Sequence, residues 1–148
     1  MKRVLVVAGI LLLSVGAVVA QQELANQTQT TMKATGRAMG SLAPMVKGEK
    51  PYDQAVVDTA LTQLQDTAKK LPTMFPESIK GLKVEGDYSS SPKIWEDKAG
   101  FAAKIDGFAK VVTEARAKIK DLDSLKATFP AIGKECGACH ETYRLKKG

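Results

Sequence analysis

The chain has 148 residues, and its 22 Lys and Arg against 16 Asp and Glu give a net charge of +6. This length suits one domain with a small core, and aromatic residues make up only 5% of the chain. The basic residues are scattered and do not alternate with aromatic side chains, which argues against nucleic-acid binding.

The first twenty residues have the pattern of an export signal. A positive pair at residues 2–3 precedes a nearly apolar run over residues 4–20, which ends in small side chains at Ala20. This order is typical of a secretory signal peptide. We therefore expect a signal peptide over residues 1–20 and one domain over residues 21–148. The alternative is an uncleaved anchor, for which the apolar run is at the short limit of a membrane span.

Two helices are predicted in the first half of the domain. Over residues 23–47, seven side chains alternate spacings of four and three, which defines one helix face: Leu24, Thr28, Met32, Thr35, Met39, Leu42 and Val46. The same spacing recurs over residues 53–71. Asp53 is a good N-cap for this second helix, and Pro72 ends it.

The second half begins with a predicted loop over residues 72–91, with a short turn near residues 73–75. Ser91 and Pro92 then start a third helix. Its face is the most regular in the chain: Phe101, Ile105, Phe108, Val112, Ala115 and Ile119. A fourth helix is predicted over residues 123–145, kinked or broken at Pro130 and helical again over residues 136–144.

The connections set the architecture. The links between the first and second helices and between the third and fourth are short, and short links join antiparallel neighbours. The sequence therefore predicts an all-α, up-down-up-down four-helix bundle with a long connection between its second and third helices.

Cys136, Cys139 and His140 form a C-x-x-C-H run close to the C-terminus. That spacing is the attachment site of a c-type haem, in which two thiols bind the porphyrin and the histidine ligates the iron. The alternatives are weaker. A thioredoxin-like pair belongs in a βαβ unit, zinc needs about four ligands, and a simple disulfide leaves the histidine without a role. Because bacteria attach haem outside the cytoplasmic membrane, we expect a periplasmic protein with one covalent haem c.

The second axial ligand decides between functions, and the chain has no second histidine. The methionines of the domain are Met32, Met39, Met45 and Met74. In this bundle the N-terminal part of the first helix lies beside the C-terminal part of the last, which carries His140. Met32 lies at the same height along the bundle axis as His140, whereas Met39 lies about 10 Å further along the helix axis. Methionines on such a face are commonly core filler, so height alone leaves both roles open for Met32.

The C-terminal motif, the bundle pattern and the export signal together resemble class II c-type cytochromes, the cytochrome c-prime family. The turn at residues 46–53 resembles the link between the first two helices of this family, and residues 136–144 resemble its haem-binding helix. Counting back from Lys47 and Gly48, the distal position is Met32. A methionine there is typical of the low-spin cytochrome c-556 subgroup, as is the segment over residues 88–95.

The resemblance implies a periplasmic electron-transfer cytochrome with His140 and Met32 as axial ligands. The sequence offers no identifiable nucleophile–base pair or general acid, so we do not expect an enzyme. The partners of such a cytochrome would be redox proteins, with no nucleic acid, no stable membrane span after signal removal and room for a homodimer. The alternative is a five-coordinate cytochrome c-prime that binds or senses NO or CO. One departure concerns Gln27 and Thr28, which replace a Tyr-Arg pair of many relatives. Arg144, one turn after His140, is expected either near the proximal side of the haem or in solvent.

Overall fold

The computed structural model describes the backbone of residues 2–147 and the side chains of residues 18–147. Most of the predicted signal peptide therefore lies outside the described side chains. The elements in chain order are the helices α1 (Lys2–Val46) and α2 (Gln54–Lys70), the strand β1 (Tyr88–Ser90), the helices α3 (Lys93–Glu96), α4 (Lys98–Lys118) and α5 (Leu122–Tyr143), and the strand β2 (Arg144–Lys146).

The four long helices form an antiparallel bundle, which confirms the predicted fold class. α1 packs on α2, α2 on α4, α4 on α5, and α5 closes the ring against α1. Asp53 caps α2 as predicted, accepting hydrogen bonds from the backbone N–H groups of Ala55 and Val56 at 2.9 and 3.2 Å. Within the described part of the chain, no helix has the length and apolar character needed to cross a membrane.

The buried helix faces follow the predicted spacing on α4 and are shifted by one residue at several turns of α1. Every predicted core position of α4 is buried, from Phe101 to Ile119. On α1 the buried stripe includes Ala25 where the sequence suggested Leu24, and Met45 where it suggested Val46. Small side chains therefore face the neighbouring helices at several turns of α1.

The core is divided into two apolar clusters along the bundle. The first cluster fills the end near the α1–α2 turn and contains Ala38, Leu42, Met45, Val57, Ala60, Leu61, Leu64, Ala68, Phe108, Val112, Ala115, Ile119, Leu125 and Ile132. The second cluster lies near the C-terminal end of α5 and contains Ala25, Ile79, Ile94, Trp95, Phe101, Ile105 and Tyr143. The C-x-x-C-H motif falls at the level between them.

The third and fourth helices differ from the prediction at Asp97 and at Pro130. The third helix is split at Asp97, whose backbone leaves the helical region and whose carboxylate accepts a hydrogen bond from the Gly100 N–H at 3.0 Å, so that α4 has its own N-cap. Pro130 does not break the last helix. Because proline has no N–H, the Lys126 carbonyl oxygen lacks its intrahelical hydrogen-bond donor. Pro130 and Lys126 are both exposed, so water can take the place of that donor.

The long connection between α2 and α3 is more ordered than predicted. It contains two short 3₁₀ turns, Leu71–Thr73 and Glu77–Ile79, and the strand β1. β1 pairs with β2 in antiparallel register, with Ser89 opposite Leu145. Arg144 therefore lies in a strand and not in the predicted helix. The loop prediction failed here because the partner strand is remote in sequence.

Candidate functional site

The predicted attachment residues share one face of α5, just before its C-terminal end. Cys136, Cys139 and His140 are spaced by three and four residues, so their side chains project from the same side of the helix. All three are half-buried. α5 starts with a capping box in which the side chains of Asp121 and Ser124 bond each other's backbone N–H groups, which sets where the helix begins.

The two thiols contact different parts of the core. Cys136 packs against the first cluster and Cys139 against the second. Burial is the main cause that raises the pKa of both thiols above its usual value. A reactive redox pair needs a lowered thiol pKa, so this site does not have the character of a thioredoxin-like centre.

The two cysteines are not joined in a disulfide, and the histidine is in a form that can act as a ligand. Burial lowers the pKa of His140, and the positive charge of Arg144 lowers it further. The imidazole is therefore neutral at pH 7, which is the form that binds a metal. Across residues 18–147, no group of three or more His, Cys, Asp and Glu side chains is arranged to hold a metal ion without the help of a cofactor.

Arg144 is the first residue of β2, four residues after His140. Its side chain is exposed, and Cζ lies 4.2 Å from the centroid of the Tyr88 ring, in a cation–π contact that joins β2 to β1. The structure thus favours the solvent-facing expectation for this residue. Its influence on His140 is electrostatic.

Met32 lies on α1, the helix beside α5, and differs from the other methionines. Met39 packs on the first cluster, Met45 is 2% exposed within that cluster, and Met74 is 7% exposed after the first 3₁₀ turn. Met32 is only half-buried and packs against neither cluster. Its thioether is therefore the one methionine sulfur on α1 that the apolar core does not use.

Two buried threonines flank Met32 on α1, and the hydrogen bonds that their hydroxyls form were not predicted. Thr28 and Thr35 stand one turn before and one turn after Met32, and both are buried. Thr28 Oγ1 donates to the Met74 carbonyl oxygen at 3.1 Å, and the hydroxyls of Thr35 and Thr67 are 2.9 Å apart. Threonine in place of leucine on a buried helix face was the signal that could have indicated such contacts.

Tyr143 is a second residue that the sequence did not single out. Its hydroxyl donates to Asp97 Oδ2 at 2.8 Å, and its carbonyl oxygen accepts from the Ser91 N–H at 3.0 Å. Both bonds tie the end of α5, three residues after His140, to the start of α3 and α4.

The donor set fits a haem c. Two thiols and one neutral imidazole on a single helix face are the groups that attach and ligate this cofactor. The thiols stand where the two apolar clusters meet, so a flat apolar ring bound there would contact both. The structure brings Cys136, Cys139 and His140 together on α5, whereas Met32 stands on the adjacent helix.

Known proteins share both the sequence and the fold. The profile of the family described as Cytochrome C′ matches residues 23–144. Cytochrome c-556 of Rhodopseudomonas palustris is 55% identical over 149 aligned positions, which cover 100% of each chain.

Two solved structures extend this result. The NMR-validated structure of oxidized cytochrome c556 from R. palustris is 55% identical, with a TM-score of 0.75, and the alignment covers 86% of this chain and 99% of that one. A variant of cytochrome c prime from Alcaligenes xylosoxidans in complex with nitric oxide is 30% identical, with a TM-score of 0.73, and the alignment covers 85% and 97%. A match of this extent in sequence and architecture shows that the chain belongs to the cytochrome c′ family.

Proposed function

We propose that this protein is a periplasmic electron carrier with a low-spin haem c. Members of the cytochrome c′ family are haem c proteins that transfer electrons or bind gases, and the first of these activities suits this chain better. In the proposal, Cys136 and Cys139 would hold the haem through thioether bonds, and His140 and Met32 would be the ligands of its iron.

The single observation that supports this choice is the environment of Met32. A half-buried thioether that contributes to neither apolar cluster, on the helix beside His140, is available as a ligand. A thioether and an imidazole together stabilise the reduced iron and raise its potential. When bound, haem c supplies the iron that accepts and releases one electron.

The polypeptide positions the groups that would ligate the iron and keeps water away from the site. The rigid α5 helix presents the neutral imidazole of His140 from one side, and the two apolar clusters limit access of solvent. No nucleophile and base are paired at the site in a way that suggests catalysis, so we assign no enzymatic role. The proposed partners are other redox proteins, and a homodimer is compatible with the fold.

Optical spectra of the purified holoprotein test the proposal. The reduced form should show sharp α and β bands and should bind CO slowly or not at all, since both axial positions are filled. A high-spin spectrum at rest with rapid CO uptake would exclude Met32 as a ligand.

Gas binding is the second candidate function, and the nitric oxide complex of the Alcaligenes relative favours it. It requires an iron position that is open or easily vacated. The same spectra therefore separate the two functions, because only the gas-binding protein would show a vacant site before the gas is added.

The periplasmic location rests on the proposed signal peptide over residues 1–20. Mass spectrometry of holoprotein isolated from the periplasmic fraction should give a chain that begins at Gln21 and carries one haem. A haem protein that retains residues 1–20 and remains with the membranes would contradict this location.

A further inference from the structure

Most of the buried polar side chains that the structure describes lie on α1 and α2, around the turn that carries Met32. In the described part of the chain the buried polar side chains are Thr28, Thr35, Thr67 and Ser91. The three threonines are all at the turns next to Met32 or directly across from them. Buried hydroxyls require hydrogen-bond partners, so their presence in an otherwise apolar bundle needs an explanation.

The first contact joins α1 to α2. The Thr35 and Thr67 hydroxyl oxygens are 2.9 Å apart, Thr35 Oγ1 also lies 2.8 Å from the Thr31 carbonyl oxygen, and Gln63 Nε2 donates to Thr67 Oγ1 at 3.3 Å. Each hydroxyl has one proton. Thr67 Oγ1 also lies 3.0 Å from the Gln63 carbonyl oxygen of its own helix. A chain from the Gln63 amide through Thr67 and Thr35 to the Thr31 carbonyl is one arrangement that satisfies both hydroxyls, and it ends on the residue that precedes Met32.

The second contact joins α1 to the segment after α2. Thr28 Oγ1 lies 2.9 Å from the Leu24 carbonyl oxygen of its own helix and 3.1 Å from the Met74 carbonyl oxygen. α1 is therefore bonded to its neighbours one turn below and one turn above Met32. Between these contacts, the Met32 side chain itself makes no packing contact with either cluster.

The geometry points to Thr28, Thr35 and Thr67 as positioning residues for the Met32 sulfur. Apolar contacts allow a helix to slide or rotate slightly, whereas a buried hydrogen bond is lost when its donor moves by an ångström. The three threonines fix the rotation of α1 about its own axis and its position along that axis at the turn that carries Met32. They thereby keep the Met32 sulfur in place. This inference rests on the proposed ligation by Met32.

Replacement of Thr35 tests the inference in the holoprotein. Thr35→Val keeps the shape of the side chain and removes the hydroxyl, while Thr67 retains the Gln63 carbonyl oxygen as an acceptor at 3.0 Å. The net contribution of one such bond corresponds to roughly a tenfold change in an equilibrium. We expect the ferrous Thr35→Val protein to bind CO about tenfold faster than the parent, since Met32 leaves the iron more often, and Thr35→Ser to restore slow binding.

A matched control is available on α4. Thr113 bonds only to the Ala109 carbonyl of its own helix, at 2.8 Å, and is exposed. Thr113→Val should leave CO binding unchanged. Thr28→Val provides an independent variant at the second contact and should act in the same direction as Thr35→Val, including in the case that Thr35→Val does not fold.

The outcomes are distinguishable. A parent protein with an open sixth position overturns the proposed function, and this inference with it. If the parent is low-spin and Thr35→Val or Thr28→Val binds CO at the rate of Thr113→Val, only the inference is overturned. It is also overturned if Thr35→Val accelerates CO binding equally in a Met32→Ala background, because the threonine would then act without the methionine.

Discussion

At the scale of single residues, the proposed function depends on a side chain that does not pack into the core. Met39 and Met32 differ by seven positions on the same helix, yet only Met39 packs on the first cluster. The sequence pattern placed both on one face, and the position of Met32 along the helix favoured it as the ligand without excluding a role as core filler. Packing distinguishes the two, because Met39 contacts the first cluster and Met32 contacts neither cluster.

Met32→Ala is the residue change with the largest expected effect on the iron. It should convert the haem to a high-spin form, lower its reduction potential and permit rapid CO binding. Met39→Ala is the matched control: it should cost about 2 kcal/mol or less of folding free energy through lost packing, with an unchanged spectrum. Equal spectra for Met32→Ala and the parent would mean that another group is the sixth ligand.

Gly100 shows how a helical glycine can be required by its neighbours. A Cβ built at this residue would clash with the Asp97 carboxylate and would lie 2.6 Å from the Tyr143 hydroxyl. Gly100→Ala should therefore destabilise the protein by about 1–3 kcal/mol, as overpacking does. At Gly40 on α1 a Cβ would meet nothing within 4 Å, so Gly40→Ala should stabilise by up to about 1 kcal/mol. Urea denaturation measures both, and changes of the same sign would contradict this account.

At the scale of elements, α5 combines a predictable helix with an unpredictable attachment. The C-x-x-C-H spacing and the apolar positions Leu125 and Ile132 were sufficient to predict the helix and its buried side. Its anchoring could not be predicted, because Ser91 and Asp97 lie more than forty residues before Tyr143 and no local pattern links them. Likewise, Pro130 was expected to interrupt the helix, and only its exposure explains why it does not.

The bond between Tyr143 and Asp97 should make stability depend on pH at both extremes. Burial first, and then the Asp97 hydrogen bond, raise the pKa of Tyr143 from 10.0 to about 12. The folded state therefore keeps the phenol proton longer than the unfolded chain does. The stabilisation is complete below pH 10 and is lost as the pH rises from 10 towards 12.

On the acid side the sign is reversed. The Tyr143 hydroxyl first, and then the Gly100 N–H, lower the pKa of Asp97 below 3.8, so its contribution is present above that pH and disappears as the pH falls through it. Melting temperatures measured across the pH range should show Tyr143→Phe to be less stable than the parent near neutrality, with the difference shrinking at both ends. A constant difference at all pH values would refute the assignment.

At the scale of the whole molecule, the two apolar clusters explain how a small domain with few aromatic residues can be stable around a cofactor. The sequence predicted the bundle, the order of its helices and the attachment motif. It could not predict that the core is divided, with Cys136 on one cluster and Cys139 on the other. That division depends on the relative rotation of all four helices, which helical spacing alone does not define.

A variant without thioether bonds should reveal this dependence. In Cys136→Ala/Cys139→Ala, the haem should be extracted by acidified acetone, whereas the parent should retain it through its covalent bonds. The extracted variant should melt at a lower temperature and lose cooperativity, because the clusters would no longer share a common partner. Retention of parental melting after extraction would show that the polypeptide packs independently of the haem.

The hydroxyl contacts around the turn that carries Met32 have a consequence for how such proteins diversify. On the inference that Thr28 and Thr35 hold α1 from both sides, the scaffold at this level does not need the side chain at position 32 for its own integrity. One codon can therefore exchange a sulfur for a hydrocarbon there without a compensating change elsewhere. Under the proposed ligation, this exchange converts an electron carrier into a gas receptor, or the reverse, in a single mutational step.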